Sequence, residues 1–252
     1  MWFRIALILA AAGALSSCRL SPREPAVQAP SPPAAEAASA REPGIGMPAQ
    51  RLLAQAPGLD PVVLQLALDA QKCAVARGVA RLPQRLAVID YTLASTRPRM
   101  WVFDLDEAKL LFAEHVAHGR NTGENMATRF SNNEGSLQSS LGLFTANETY
   151  DGENGYSLRM DGLESGVNDR ARDRLLVMHG ADYVDPAQAV RQGRLGRSWG
   201  CPAVRREVAR EVIDSLKGGQ MVFAYYPDQH WLDGSRFLGC KALASAAVKA
   251  GR

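Results

Sequence analysis

Charge of one sign, long apolar runs and metal-binding motifs are all scarce in this chain. Its 252 residues carry a formal net charge of only +3, and no basic run is interleaved with aromatic residues. The chain therefore lacks the electrostatic signature of a nucleic-acid-binding protein. Neither an HExxH nor a CxxC motif is present, so we expect no metal and no other cofactor. The composition, 46% hydrophobic and 22% charged, is otherwise typical of a globular protein with a sizeable core.

The longest apolar run stands at the amino end, from Ile5 to Leu15, directly after the positive charge of Arg4. It has the length of a signal-peptide core and is shorter than the roughly 20 residues that span a bilayer. The run ends in Leu15-Ser16-Ser17-Cys18, which resembles the lipobox of bacterial lipoproteins. This resemblance implies a signal peptide over residues 1–17, acylation of Cys18, and a periplasm-facing lipoprotein of the cell envelope held to a membrane. The alternative is an ordinary signal peptide beside an incidental Cys18; both interpretations export the chain.

Residues 18–57 are rich in Pro, Ala, Ser and Glu and have almost no aromatic side chains. Such a segment buries too little apolar surface to fold, and its prolines keep it extended. We therefore predict a disordered tether over 18–57, a folded domain over 58–238 and a C-terminal tail over 239–252.

The chain has four cysteines, Cys18, Cys73, Cys201 and Cys240. If Cys18 carries lipid, three remain, and three thiols cannot all pair within one exported chain. If Cys201 is the free thiol, Cys73 and Cys240 are available to form a disulfide. The alternative is that both are buried free thiols, which are common in protein cores.

The hydrophobic pattern of the domain predicts a β-rich α+β fold. Asp60 and Pro61 are start signals for a helix that runs to Arg77. A Gly- and Asn-rich stretch over 119–141 predicts a long functional loop. Apolar residues recur at helical spacing after Cys201, so a second helix is expected to begin at Pro202. Short apolar runs predict strands over residues 86–92, 100–105, 110–117, 141–145, 157–163, 174–178 and 220–226.

Cys201 and His179 are the candidate catalytic residues. A cysteine at the start of a helix faces unpaired backbone N–H groups and the positive end of the helix dipole, and both favour the nucleophilic thiolate. The N–H groups of Gly200 and Cys201 could hold a developing oxyanion. His179 ends an apolar strand and precedes Gly180, and an imidazole can take up the thiol proton near neutral pH.

The arrangement of His179-Gly180, a loop and then Ser198-Trp199-Gly200-Cys201 resembles the signature of the YkuD-type L,D-transpeptidases. Flanking segments are similar to the murein L,D-transpeptidase catalytic domain branch of that family, and the resemblance covers about residues 85–226. These segments are Val116-Ala117-His118-Gly119-Arg120-Asn121, Phe130-Ser131-Asn132, Ser139-Ser140-Leu141-Gly142, Gly155-Tyr156-Ser157-Leu158, Leu163-Glu164 and Gly196-Arg197-Ser198.

The resemblance implies a YkuD-like β-sandwich or barrel with an N-terminal helix and a helix after the cysteine. It also implies a reaction: Cys201 attacks the amide after the third residue of a peptidoglycan stem tetrapeptide, D-alanine leaves, and an amine resolves the thioester. That amine is a diaminopimelate side chain in cross-linking or a protein amine in anchoring. His179 would be the base, Gly180 would orient its ring through the backbone carbonyl, Ser198 would support the site by hydrogen bonding, and Gly200 would help to form the oxyanion hole.

Two departures from the family pattern concern the substrate contacts. Trp199 stands where many relatives have His, and it would be either a lid or a packing residue. Ala203 stands where many relatives have Arg or Asn, so another group must meet the substrate carboxylate. Arg197 or Arg120 is the candidate for that role. His118, another His before a Gly, either lines the substrate groove or is a structural hydrogen-bonding residue.

Three alternatives remain open at the level of sequence. A zinc hydrolase could use His118, His179 and Cys201 as ligands. A wall-binding lipoprotein could keep the fold without activity. An L,D-carboxypeptidase or cross-link hydrolase could use the same residues with water as the acceptor. The expected partners are peptidoglycan stem peptides and a membrane, and nothing in the sequence specifies an oligomeric state.

Overall fold

An eight-stranded sheet forms the centre of the structure, which is a computed structural model that describes residues 47–240. The strand order is β3-β2-β1-β8-β4-β5-β6-β7. The strands are β1 (Arg85–Asp90), β2 (Met100–Asp104), β3 (Lys109–Glu114), β4 (Gly142–Gly152), β5 (Gly155–Gly162), β6 (Val177–Ala181), β7 (Ala203–Arg205) and β8 (Gln220–Tyr225).

The strands predicted over residues 86–92, 100–105 and 110–117 are present as β1, β2 and β3, and they form an antiparallel meander. The pairs β1–β8 and β6–β7 are parallel, and the others are antiparallel. The chain after β3 returns to the opposite edge, where Ala117 bridges Ala203 and Gly119 bridges Ser198. These bridges nearly close the sheet, so the predicted β-rich α+β fold of the sandwich or barrel type is confirmed.

Five helices accompany the sheet: α1 (Met47–Leu53), α2 (Pro61–Ala76), α3 (Pro186–Gln192), α4 (Arg206–Leu216) and α5 (Gln229–Gly234). The start of α2 is the predicted one, because the Asp60 carboxylate accepts the Val62 N–H over 2.7 Å and Pro61 occupies the first helical position. The buried face of α2, which includes Leu64 and Ala67, packs into the main core.

The disordered tether predicted to extend to residue 57 ends earlier. Residues 47–53 form α1, and Ala49, Leu52 and Ala56 lie buried in the core. The Gln55 side chain donates to the carbonyl of Ala108 over 2.8 Å. Composition misled the prediction here, because a few well-spaced apolar residues suffice when a neighbouring strand offers them a surface. The signal peptide, Cys18 and the tether up to residue 46 lie outside the described residues.

The helix expected at Pro202 begins later. Ala203–Arg205 forms β7, because this segment completes a parallel pair with β6, and α4 starts only at Arg206. The strand before His179 is also shifted from 174–178 to Val177–Ala181. The buried face of α4 packs on β6, where a Cβ on Gly180 would lie 2.7 Å from that of Ala209. Gly180 is therefore required for the helix to approach the strand.

Two links hold the C-terminal part of the domain. The buried Glu164 carboxylate accepts the N–H groups of Leu143 and of the Trp231 indole, at 2.9 and 3.1 Å, and the Ser235 hydroxyl at 2.5 Å. A disulfide joins Cys240 to Cys73 in α2, with the Cα atoms 5.8 Å apart. The predicted tail thus begins with a residue fixed to the core, and residues 241–252 lie outside the described part. Within residues 47–240, no helix is long and apolar enough to cross a membrane.

Candidate active site

Cys201 lies at the junction between a tight turn and β7, and its sulfur faces the segment that leads into β6. The Val177 N–H donates to the Cys201 Sγ over 3.4 Å, and the Leu175 carbonyl lies 3.7 Å from the same atom. Cys201 is half-buried and is the free cysteine of the described part of the chain. The sulfur therefore has one partner that favours the thiolate and one that accepts the S–H of the thiol.

The electrostatic environment of Cys201 differs from the predicted one. Burial raises the pKa of the Cys201 thiol above its usual value and outweighs the Val177 N–H, the charge of Arg174 and the N–H of Cys201 itself, which lower it. The predicted stabilisation by a helix dipole is wrong, because α4 begins at Arg206 and the dipole acts only near the first turn. Apart from the N–H of Cys201 itself, the groups that favour the thiolate lie in β6 and in the turn that leads into it.

His179 lies in the middle of β6 and is 3% exposed. Its Nδ1 lies 3.1 Å from the Gly180 carbonyl, which can only accept, so Nδ1 carries the proton and Nε2 keeps a lone pair. Burial is the main cause that lowers the pKa of His179 below its usual value. The imidazole is thus neutral at pH 7, in the tautomer that a general base requires.

The parallel register of β6 and β7 relates the two candidate residues. His179 pairs with Ala203, and two residues earlier on each side stand Val177 and Cys201. Cys201 therefore lies two residues before the β7 residue that pairs with His179. Its sulfur accepts the N–H of Val177, the first residue of the strand that carries His179.

Ser198 and Gly200 shape the turn that presents Cys201. The Ser198 hydroxyl donates to the Cys201 carbonyl over 2.6 Å and accepts the Gly200 N–H over 3.1 Å. Gly200 has φ +128°, and a Cβ there would lie 2.8 Å from the Gln138 carbonyl. Only glycine fits this position without strain. Because the Gly200 N–H is already donated to Ser198, its predicted part in an oxyanion hole is not supported, and its role is steric.

Of the three residues predicted to bind substrate, His118 and Arg197 have side-chain partners within the protein, and Arg120 lies exposed beside Ser198. His118 is 1% exposed; its Nδ1 accepts from Arg99 over 2.7 Å, and its Nε2 donates to the Gly123 carbonyl over 3.2 Å. Burial, followed by the charge of Arg99, lowers the pKa of His118 to about 4. The Arg197 guanidinium is held by Glu124 over 2.7 Å. Arg120 is exposed, and its backbone N–H donates to the Ser198 carbonyl over 2.7 Å.

His118 is accordingly a structural hydrogen-bonding residue, whereas the role of Arg197 or Arg120 toward the substrate carboxylate stays a prediction. Both ring nitrogens of His118 are used inside the protein, so this side chain is not presented as a zinc ligand. Among residues 47–240, no group of three or more His, Cys, Asp or Glu side chains is arranged to hold a metal ion.

The sequence gives no signal for a role of Arg174, because it is the first residue of an apolar run that predicts a strand over residues 174–178. The structure places it in the turn before β6, where its charge acts on Cys201. Two large apolar side chains also stand exposed beside the cysteine, Trp199 at 74% and Leu175 at 68%. The exposure of Trp199 excludes the interpretation that it is a packing residue.

Comparisons with known proteins identify the family of the chain. A family model for the L,D-transpeptidase catalytic domain matches residues 55–225, whereas no curated protein sequence matches the chain. Among solved structures, the chain is similar to an L,D-transpeptidase from Mycobacterium smegmatis, with 14% identity and a TM-score of 0.36 over 57% of this chain and 59% of that one.

Two further solved structures are similar at the same level. One is an L,D-transpeptidase from Mycobacterium tuberculosis, with 16% identity and a TM-score of 0.32 over 57% of this chain and 58% of that one. The other is an L,D-transpeptidase from Xylanimonas cellulosilytica, with 14% identity and a TM-score of 0.31 over 70% and 90%. The chain thus spans less than two thirds of the length of the two mycobacterial structures.

Proposed function

Because the chain belongs to the family of L,D-transpeptidase catalytic domains, we propose that it is a cysteine acyltransferase that acts on peptidoglycan stem tetrapeptides. The observation that carries this proposal is a free, half-buried cysteine whose sulfur accepts a hydrogen bond from β6, the strand that carries a neutral, buried histidine. A nucleophile beside an oriented base is the arrangement that covalent catalysis requires.

The first half-reaction forms the acyl-enzyme. His179 Nε2 takes the proton from the Cys201 thiol, and the thiolate attacks the carbonyl carbon of the third residue of the stem peptide. The bond to the nitrogen of the terminal D-alanine breaks as the imidazolium returns the proton to that nitrogen. D-Alanine leaves, and the acyl group remains on Cys201 as a thioester.

The second half-reaction transfers the acyl group to an amine. The amine attacks the thioester carbon, His179 Nε2 takes the excess proton, and the sulfur leaves and receives that proton back. The products are a new amide and the free thiol. With water in place of the amine, the same steps release a tripeptide, which is the L,D-carboxypeptidase or hydrolase alternative.

We further propose that the chain is a lipoprotein of the cell envelope, anchored through Cys18 and facing the periplasm. The disulfide between Cys73 and Cys240 supports this location, because structural disulfides persist in oxidising compartments. Stem peptides of the wall and the membrane surface would then be its partners.

Incubation with purified disaccharide-tetrapeptide tests the proposal. We expect release of D-alanine and a cross-linked dimer by mass spectrometry, with neither product from a folded Cys201→Ser variant. Tripeptide without dimer, even after an added amine acceptor, would reassign the chain as a carboxypeptidase. Binding to peptidoglycan without release of D-alanine would reassign it as a wall-binding protein.

A further inference from the structure

Arg174 is a positively charged residue in the wall of the site that has no carboxylate partner within residues 47–240. Its side chain is half-buried, and burial lowers its pKa. Within residues 47–240, the titratable groups that shift its pKa are the Cys201 thiol and Arg170. A half-buried guanidinium without an acidic partner is costly, so its surroundings must compensate for the lost hydration.

The compensation comes from one loop. Arg174 Nη1 donates to the Ser131 carbonyl over 2.7 Å and to the Ser140 hydroxyl over 2.5 Å. Its Nη2 donates to the Ser136 hydroxyl over 3.1 Å and to the Gln138 carbonyl over 2.7 Å. Four of the five guanidinium N–H groups are thus used, so Arg174 is not free to clamp a substrate carboxylate in a bidentate manner.

The four hydrogen bonds of Arg174 join two segments, one of which contacts Gly200 and the other the Cys201 sulfur. On one side, the Gln138 carbonyl lies against Gly200, where an added Cβ would be only 2.8 Å away. On the other side, the residue after Arg174 is Leu175, whose carbonyl lies 3.7 Å from the Cys201 Sγ. Leu175 at φ +55° and Leu137 at φ +56° are both left-handed, and such strain persists only where the surroundings over-determine it.

The other titratable groups around the sulfur are neutral at pH 7. Tyr91 and Tyr183 both interact electrostatically with Cys201, and burial raises the pKa of each hydroxyl above its usual value. His179 is neutral because burial lowers its pKa. Arg174 is therefore the permanent positive charge that acts on this sulfur in the described part of the chain.

We propose that Arg174 is a positioning residue with two tasks: it holds the loop over residues 131–140 against Gly200, and it supplies the positive charge that stabilises the Cys201 thiolate. It thereby performs the electrostatic task that a helix terminus was expected to perform. The inference rests on the proposed function only in that the thiolate is taken to be the nucleophile.

The test is the pH dependence of alkylation of Cys201 by iodoacetamide in the unreduced full-length protein, quantified on the Cys201 peptide by mass spectrometry. We expect Arg174→Gln to raise the midpoint of the alkylation profile by about one pH unit, which lowers reactivity at pH 7 about tenfold. Arg170→Gln is the matched control, because it removes an exposed charge from the same turn, and it should leave the midpoint unchanged.

Arg174→Lys separates the effect of the charge from that of the hydrogen bonds. It keeps the positive charge but loses most of the four hydrogen bonds to the loop over residues 131–140. We expect it to lower the melting temperature while it keeps the midpoint within a few tenths of a pH unit of the native one. If Arg174→Gln does not fold, the Lys variant decides alone, and a full shift there would overturn the proposal. A Gln variant whose midpoint moves no more than that of Arg170→Gln would overturn it as well. Because iodoacetamide needs no peptidoglycan, this result is independent of the acyl-transfer test.

Discussion

The backbone N–H of Val177 donates to the Sγ of Cys201 over 3.4 Å, and this contact ties the sulfur to the strand that carries His179 two residues later. His179 in β6 pairs with Ala203 in β7. Val177 lies two residues before His179, and Cys201 lies two residues before Ala203. The two candidate catalytic side chains are thus held by the sheet itself rather than by a helix terminus.

His179→Ala should lower the rate of acyl transfer by about 10²–10⁴-fold, because the thiol then lacks its base. In the native protein only the neutral imidazole is active, and burial lowers its pKa below 6.5. The acid limb of kcat/KM should therefore have its midpoint below pH 6.5, with activity retained above it. The pH–rate profile checks this, with the exposed His230→Ala as the matched control. A midpoint above 6.5, or an unimpaired His179→Ala, would contradict the assignment.

His118 should make the fold sensitive to mild acid. Its pKa is lowered from 6.5 to about 4, so folding favours the neutral ring; the resulting stability is complete above pH 6.5 and is lost as the pH falls towards 4. Between pH 7.5 and 4.5 the native protein should lose about 2–3 kcal/mol more than a His118→Gln variant, whose amide can keep both hydrogen bonds without titrating. Urea unfolding at the two pH values measures the difference. If the native protein and the His118→Gln variant lost the same free energy of unfolding, the prediction would be refuted. The control variant His230→Gln should lose as much as the native protein does.

The disulfide between Cys73 and Cys240 should contribute strongly to stability. The two residues are separated by 167 positions, and a bond that closes so long a loop stabilises by about 3–5 kcal/mol in the chain-entropy account. The double variant Cys73→Ala, Cys240→Ala should therefore lose this amount in denaturant unfolding, whereas Cys201→Ala should lose far less. Alkylation of Cys73 or Cys240 in the native, unreduced protein would show that the bond is absent.

Trp199 should contribute to substrate binding and not to the stability of the fold. Its side chain is 74% exposed directly before the Gly200-Cys201 turn, so Trp199→Ala should change the free energy of unfolding by no more than about 0.5 kcal/mol. If the indole covers the bound peptide, KM should rise about tenfold, which corresponds to about 1.4 kcal/mol, with kcat nearly unchanged. The buried Trp231→Ala is the contrasting variant, since it should cost about 3–5 kcal/mol in stability. A strongly destabilised Trp199→Ala with native KM would reverse this assignment.

Much of the fold was predictable because local signals agreed with the tertiary contacts. Helix α2 has both its cap and its periodicity, and the meander of β1, β2 and β3 consists of apolar runs separated by turn residues. That the segments of His179 and Cys201 lie side by side was predictable only through the resemblance to a family. No local pattern of residues reports that the two segments lie side by side.

The errors arose where distant contacts override local signals. Pro202 and the helical spacing after it predict a helix, but parallel pairing with β6 makes Ala203–Arg205 a strand. Arg174 resembles an ordinary charged residue at the edge of an apolar run, and its role depends on a loop that is more than thirty residues earlier in the chain. The Gly200 N–H is occupied because it donates to the Ser198 hydroxyl. The spacing of residues in the sequence does not predict the orientation of that hydroxyl.

Intact-mass analysis of the protein with a stem tetrapeptide donor and no amine acceptor tests the central claim most directly. A thioester is expected, seen as an added mass equal to the donor minus D-alanine, located on the Cys201 peptide and removed by hydroxylamine. Cys201→Ala should show no adduct while it keeps its native circular dichroism. An adduct of the same mass on the Cys201→Ala variant, or D-alanine release by that variant, would contradict the assignment of Cys201 as nucleophile.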